Sequence, residues 1–385
     1  MKWIWLCFII MLVSDCKQVY NAPVKSPSTG YLVVEGFISV GSTPTSITLT
    51  RTTKLVDTVN VIYENNATVS IEDSTNNSYS FHANGNGVYV ADETNLSTNQ
   101  KYRLHIQTTD GKEYISDFVQ AKSTPPIDSV FWSRETGGVQ IYVSTHDPQN
   151  NSKYYLWNYD ETWEFHSPFQ SSLMYIKDAS NNITGLEYRY ANQTTDTTIY
   201  KCWRSQSSTS ILVASSEKLS TDIIDRQPVL FIPVNAQEIS VLFSVNVKQH
   251  VVSKDAYQFY QLMKNNTEEL GTIFDAQPSH PSGNIHCLSN PSEIVIGYVD
   301  VTSEQSSRLF ISKDEVGDWF YSSGCLLSII KNDVDSMNAS GRGTIPVVPT
   351  DVDRATEAII HFSAAAPVCV DCTLTGTNVK PDFWP

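Results

Sequence analysis

Between residues 154 and 165, aromatic side chains recur at alternate positions: Tyr155, Trp157, Tyr159, Trp163 and Phe165. A period of two places all five on one face of an extended chain, where a helix would scatter them around its circumference. Such a row reads as a strand whose aromatic face belongs to a core, rather than as a carbohydrate-stacking platform. The rest of the chain suits that partner. Many Thr, Val and Ile accompany the aromatics, and charged residues make up 17% of the chain. β-Branched and aromatic residues fit a pleated, half-buried surface, and so few charges leave little material for long solvated helices.

The same period recurs along the sequence. The stretch from Tyr31 to Ile38 is nearly continuous and apolar, broken at Gly36. Ile47 and Leu49 share a face, as do Val69 and Ile71, and Tyr102, Leu104 and Ile106. Asp110-Gly111 between two such runs is a two-residue hairpin signal. Ser123-Thr124-Pro125-Pro126 ends the first set, because two prolines cannot continue a ladder. Further alternating runs follow at 127–133, 139–145 and 241–247, with 294–301 and 307–311 as a closing pair. Ser253 is placed to cap a helix over 254–264, and Ser312 with Glu315 forms a capping box. The expected fold is all-β: two β-sandwiches, immunoglobulin/transthyretin-like over 31–122 and fibronectin-III-like over 125–385. The second carries one or two short helices and long insertions at about 168–230 and 331–358, where periodicity is weak.

The first residues point to a compartment. Met1-Lys2 precedes an apolar run from Trp3 to Val13, and Cys16 follows. A basic start, a short apolar run and a cysteine at the cut form a lipoprotein signal over 1–15, with Cys16 as the lipid acceptor. The run is too short to span a bilayer. Residues 16–30 read as the lipidated cysteine and a flexible tether. Loss of Lys2 with Asp15 leaves the net charge at −15. That surface repels phosphate backbones and makes nucleic acid a poor partner.

Behind the leader and Cys16 stand Cys202, Cys287, Cys325, Cys369 and Cys372. Outside the inner membrane these are disulfide candidates, with one left over and the connectivity open. The ending Asp382-Phe383-Trp384-Pro385 carries a large apolar payload. A bridge from Cys369 or Cys372 to Cys202, Cys287 or Cys325 would hold it against the second sandwich. A local Cys369–Cys372 link is the alternative. Other chemistry is weakly signalled. His280, His286 and Cys287 with Cys369 and Cys372 could be assembled into a zinc set only from pieces far apart in sequence. Cys369-Val370-Asp371-Cys372 lacks the helix start that a redox pair needs. Asp333, Asp335, Asp351 and Asp353 lack the glycine and terminal glutamate of a calcium loop. Glu161 and Glu164 have no partner fixed by the sequence. No catalytic, cofactor-binding or metal residues are therefore assigned.

Several segments taken in order carry a resemblance. They are Leu32-Val33-Val34-Glu35-Gly36, Ala67-Thr68-Val69-Ser70-Ile71, Tyr102-Arg103-Leu104 with Asp110-Gly111, and Pro125-Pro126-Ile127-Asp128-Ser129-Val130. Tyr155-Leu156-Trp157 with Glu161-Thr162-Trp163-Glu164 comes next, then Gly283-Asn284-Ile285 with Gly297-Tyr298. The tail follows, from Cys369-Val370-Asp371-Cys372 through Gly376 to Lys380-Pro381-Asp382-Phe383-Trp384. With these the chain resembles the Bacteroidota outer-membrane lipoproteins that carry the domain of unknown function numbered 4249. The resemblance implies attachment to the outer membrane through the N-terminal lipid, and a place beside a TonB-dependent β-barrel transporter as an accessory binding or capping subunit. It implies no catalytic residues. Lys17-Gln18, where surface-exported lipoproteins often have acidic residues, leaves the membrane face open. The leading expectation is a non-enzymatic accessory lipoprotein with an unknown ligand. A glycan- or peptide-processing hydrolase and a structural or assembly lipoprotein are the alternatives.

Overall fold

The computed structural model describes residues 30–53, 61–92, 94–192, 194–267 and 283–385. The leader, Cys16, the tether up to residue 29 and His280 lie outside the described residues. Within them the chain is mostly β, with several antiparallel sheets and a few short helices.

Two sheets enclose the first core. One runs in the order Leu32–Gly36, Thr45–Arg51, Val88–Ala91 and His82–Ala83. The other runs Ile285–Cys287, Glu113–Ser116, Lys101–Gln107, Thr68–Asp73 and Ser78–Ser80. The alternating residues Ile47, Leu49, Val69, Ile71, Leu104 and Ile106 point into the shared core. At roughly 1.5–3 kcal/mol for each fully buried aliphatic side chain, they outweigh any single polar contact at its rim. The Asp-Gly hairpin forms between Lys101–Gln107 and Glu113–Ser116, with Gly111 at φ +82°.

A second pair of sheets follows. Ile127–Glu135, Gly138–His146 and Ile223–Pro233 make one. Lys201–Ser207, Tyr154–His166, Leu242–Val251 and Glu304–Ser312 make the other, with Leu212–Ser215 added beside Tyr154–His166. Tyr155, Trp157, Tyr159, Trp163 and Phe165 all face inward against Val139, Ile141, Val143, Val245 and Val247. The helices at Lys254–Thr267 and Lys313–Val316 are present. Ala256 N donates to Ser253 Oγ, and Ser312 and Glu315 close their capping box.

Three expectations need correction. Residues 294–301 do not pair with 307–311. Ile296 bridges Val33, and Val301–Thr302 pairs in parallel with Ile38–Ser39, so this segment packs in the first core. Glu304–Ser312 instead pairs with Leu242–Val251. Residues 168–230 are not simply an insertion, because three of their strands belong to the second pair of sheets. Their periodicity is hidden for local reasons. Lys201–Ser207 buries only Cys202 and Trp203, and Ile223–Pro233 carries Arg226 at φ +52° with two register shifts. Finally, the hairpin Leu173–Lys177/Ile183–Tyr188 joins a sheet of Ser328–Lys331, Ile359–Ala365 and Ile345–Val352 over a small core of its own. Pro346 and Pro349 shift the register of that outer strand, which fits an edge position.

The Pro-Pro junction is no free hinge. Thr124 N donates to Ser303 Oγ, Val251 N donates to Thr124 Oγ1, and buried Gln249 donates to Pro125 O while accepting from Trp157 Nε1. Asp300, buried at the same junction, accepts from Ser253 N and Val301 N. Burial raises its pKa above the usual carboxylate range.

Candidate functional site

The outer face of the sheet that carries the aromatic row is covered in two places. Register places Leu156 opposite His250, Asn158 opposite Lys248 and Asp160 opposite Asn246, all pointing away from the core. At one end the helix Lys254–Thr267 packs on Leu156 through Ala256. At the other end the C-terminus lies down. Trp384 is buried against Trp203 and Phe310, its Nε1 donates to Glu164 Oε2, and Arg308 lies over the ring of Phe383.

Beside the helix, where the first pair of sheets meets this face, lies a cleft of about 540 Å³. Glu35, Gly36 and Phe37 come from the first pair of sheets. Asn158, Lys248, His250 and Glu304 come from the second, Tyr260 and Met263 from the helix, and Tyr298 from the returning segment. Junctions between packed units are where small-molecule sites concentrate. The Phe37 ring stacks on His250 with centroids 4.4 Å apart. Burial holds the His250 imidazole neutral, with its pKa lowered to about 4, and Lys248 adds to that. Its Nε2 stands 3.6 Å from Glu304 Oε2, too far for a hydrogen bond, and Glu304 is itself raised by burial. Lys248 is held by Asp160 at 2.6 Å. Neither His250 Nδ1 nor Asn158 Oδ1 has a hydrogen-bond partner among the described residues, and both are sealed from water.

A family model, Domain of unknown function (DUF4249), matches residues 17–308. The chain belongs to that family. Every residue that lines the cleft falls inside the matched span, whereas Ser328–Lys331, Ile345–Val352 and Ile359–Ala365 fall beyond it. No curated protein matches the chain.

Several residues singled out in the sequence have architectural contacts. Cβ atoms at Gly283 and Gly297 would collide with the backbone oxygens of Gly297 and Val34. Between them Asn284 donates to Val299 O and accepts from Val299 N, at 2.9 Å each. Glycine-Asn-Ile and Gly-Tyr thus fasten the returning segment to the first core. Glu161 and Glu164 stand on opposite faces of their strand. Glu161 accepts from Gln206, and burial raises its pKa. Glu164 meets Lys201 at 2.9 Å and His166 at 3.1 Å. They do not form a carboxylate pair.

The cysteines divide cleanly. Cys202 joins Cys372, Cys325 joins Cys369, and Cys287 is free and buried in the first core. Both thiols of the Cys-x-x-Cys are therefore committed to separate distant bridges, which removes them from any zinc set or redox pair. His286 faces Asp117 at 3.2 Å. Asp333 caps the helix Val334–Ser340, Asp353 accepts from Ala355 N and Thr356 N in a turn, and Asp351 faces His361.

His250, Asn158 and Tyr260 were not singled out as lining residues from sequence, because strand register brings the first two together and helix packing adds the third. One local signal was available: Phe37 sits just after a glycine that breaks an apolar strand.

Proposed function

We propose that this protein is a non-enzymatic, lipid-anchored outer-membrane component that serves as an accessory binding or capping subunit of a TonB-dependent transporter. Cys16 carries the lipid, and the junction cleft is the recognition surface. The observation that carries the reading is the cleft itself. It is walled by both pairs of sheets and a helix, and its polar groups Asn158, Lys248 and His250 stand on paired strands that fix their positions, as binding sites commonly require. The two β units are read as immunoglobulin/transthyretin-like and then fibronectin-III-like, scaffolds on which binding groups are commonly grafted. Glu161 and Glu164 stand on opposite faces of their strand, so they do not supply the carboxylate pair that the hydrolase alternative needs.

Affinity capture of the full-length protein from detergent-solubilised outer membranes tests the partner. A β-barrel transporter co-purifying at stoichiometric levels supports the reading, and its absence removes the main support. Cys16→Ser is expected to move the protein from the membrane fraction to the soluble fraction, since each buried methylene of an acyl chain contributes about 0.8 kcal/mol of attachment. A variant that stays membrane-bound with an intact N-terminus by mass spectrometry contradicts the anchor.

A further inference from the structure

The two polar atoms without partners define what the cleft can accept. Asn158 and His250 are diagonal neighbours on adjacent strands and face the same side. Glu304 Oε2 stands 3.6 Å from Nε2, beyond hydrogen-bond reach, and its negative field favours the tautomer with the proton on Nε2, which leaves Nδ1 as an acceptor. Asn158 Oδ1 is an acceptor as well. A buried acceptor left unmet is costly, and a group that donates to it recovers that cost. The ligand must therefore bring donors.

Charge narrows the class. Glu35 and Glu304 line the cleft and, among the described residues, no arginine does, which disfavours an anion. The cationic Lys248, fixed beside Asn158 by Asp160, disfavours an ammonium. Half-buried Phe37, Tyr260 and Tyr298 offer aromatic surface in the same space, and Ser208, Thr209 and Ser210 add hydroxyls at the wall.

We propose that the cleft takes an uncharged, hydroxyl-rich ligand of the saccharide class, which lays a C–H face on Tyr260 and Tyr298 and donates hydroxyl hydrogen bonds to His250 Nδ1 and Asn158 Oδ1. Phe37 lies over the imidazole, so entry turns that ring aside to open the way to His250. The proposal rests on the reading of the cleft as a recognition surface.

The test is calorimetric titration of the wild-type protein with four neutral hexasaccharides (of glucose in α-1,4 and β-1,4 linkage, xylose and mannose), with hexagalacturonate and a chitosan hexamer as charged counterparts. At least one neutral probe is expected to bind, with the charged probes at least tenfold weaker. His250→Phe keeps a ring under Phe37 and removes the acceptor, and Asn158→Leu removes the other. Each is expected to keep or raise the thermal midpoint and to weaken the neutral probe at least tenfold. The proposal is overturned if no neutral probe binds, if a charged probe binds as well or better, or if both variants bind like wild type. A transporter captured from membranes alongside such a failure would sink the ligand class alone. Saccharide binding without a transporter would sink the partner reading alone.

Discussion

Removing the bridge between Cys202 and Cys372 by the double change Cys202→Ala/Cys372→Ala probes how the C-terminus is held. The two cysteines are 170 residues apart and almost fully buried. In the chain-entropy model a closed loop of that length contributes about 5 kcal/mol at 25 °C. The second bridge, between residues 44 apart, contributes about 4 kcal/mol on the same scale. The second bridge still tethers the tail three residues upstream after the first is removed. That shortens the effective loop only modestly and leaves the figure near 5 kcal/mol. Measured losses for native bridges run about 2–5 kcal/mol, so the double variant is expected to lose about 3–5 kcal/mol. It should also lose at least as much as Cys325→Ala/Cys369→Ala. Urea unfolding under oxidising conditions, with the midpoint and slope fitted for both variants, gives the numbers. A loss below about 1 kcal/mol, or a clearly greater loss from the shorter loop, would refute the idea that these bridges act by constraining the unfolded chain.

Three further outcomes are expected. Trp384→Ala should cost about 3–5 kcal/mol, as for other buried tryptophans, with the loss read from the same urea titration; a change within about 0.5 kcal/mol would mean the tail does not pack on Trp203 and Phe310. His250 is neutral in the fold with a pKa near 4 against an ordinary 6.5, so the folded state binds fewer protons. Its contribution is fully present above pH 6.5 and is lost as pH falls toward 4, on the order of 3 kcal/mol. Asp300 and Glu304, raised by burial, titrate in the opposite sense. Urea midpoints between pH 4.5 and 7.5 should therefore fall more steeply for wild type than for His250→Phe, and equal slopes would contradict the assignment. Gly297→Ala forces a Cβ onto Val34 O at φ +141° and should cost more than about 1 kcal/mol by thermal unfolding; a neutral result would show that the returning segment has slack.

The parts of this fold legible in sequence are those where one face is buried and the other is not. The aromatic row, the Asp-Gly hairpin and the Ser312/Glu315 capping box each follow from local periodicity or local hydrogen bonding. Residues 294–301 were misplaced because an apolar stretch of that length says that it is buried and not which core buries it. Their pairing with Val33 and Ile38 is fixed by long-range contacts, including Asn284 on Val299, that no local pattern encodes. Ile223–Pro233 was missed because bulges and a left-handed Arg226 broke its period. The cleft was the least legible. Its floor depends on the register of Tyr154–His166 against Leu242–Val251, and its lid on a phenylalanine about two hundred residues away.

The accessory role is tested most directly by cross-linking in intact cells that express the full-length protein. Lysine-reactive cross-linking and mass spectrometry read the neighbours of Lys248, on the cleft, and of Lys218 and Lys254, which line a second hollow at the helix start. Cross-links from these lysines to loops of an outer-membrane β-barrel transporter are the predicted result. Cross-links confined to soluble proteins, or to other copies of this chain, with none to a β-barrel would contradict it.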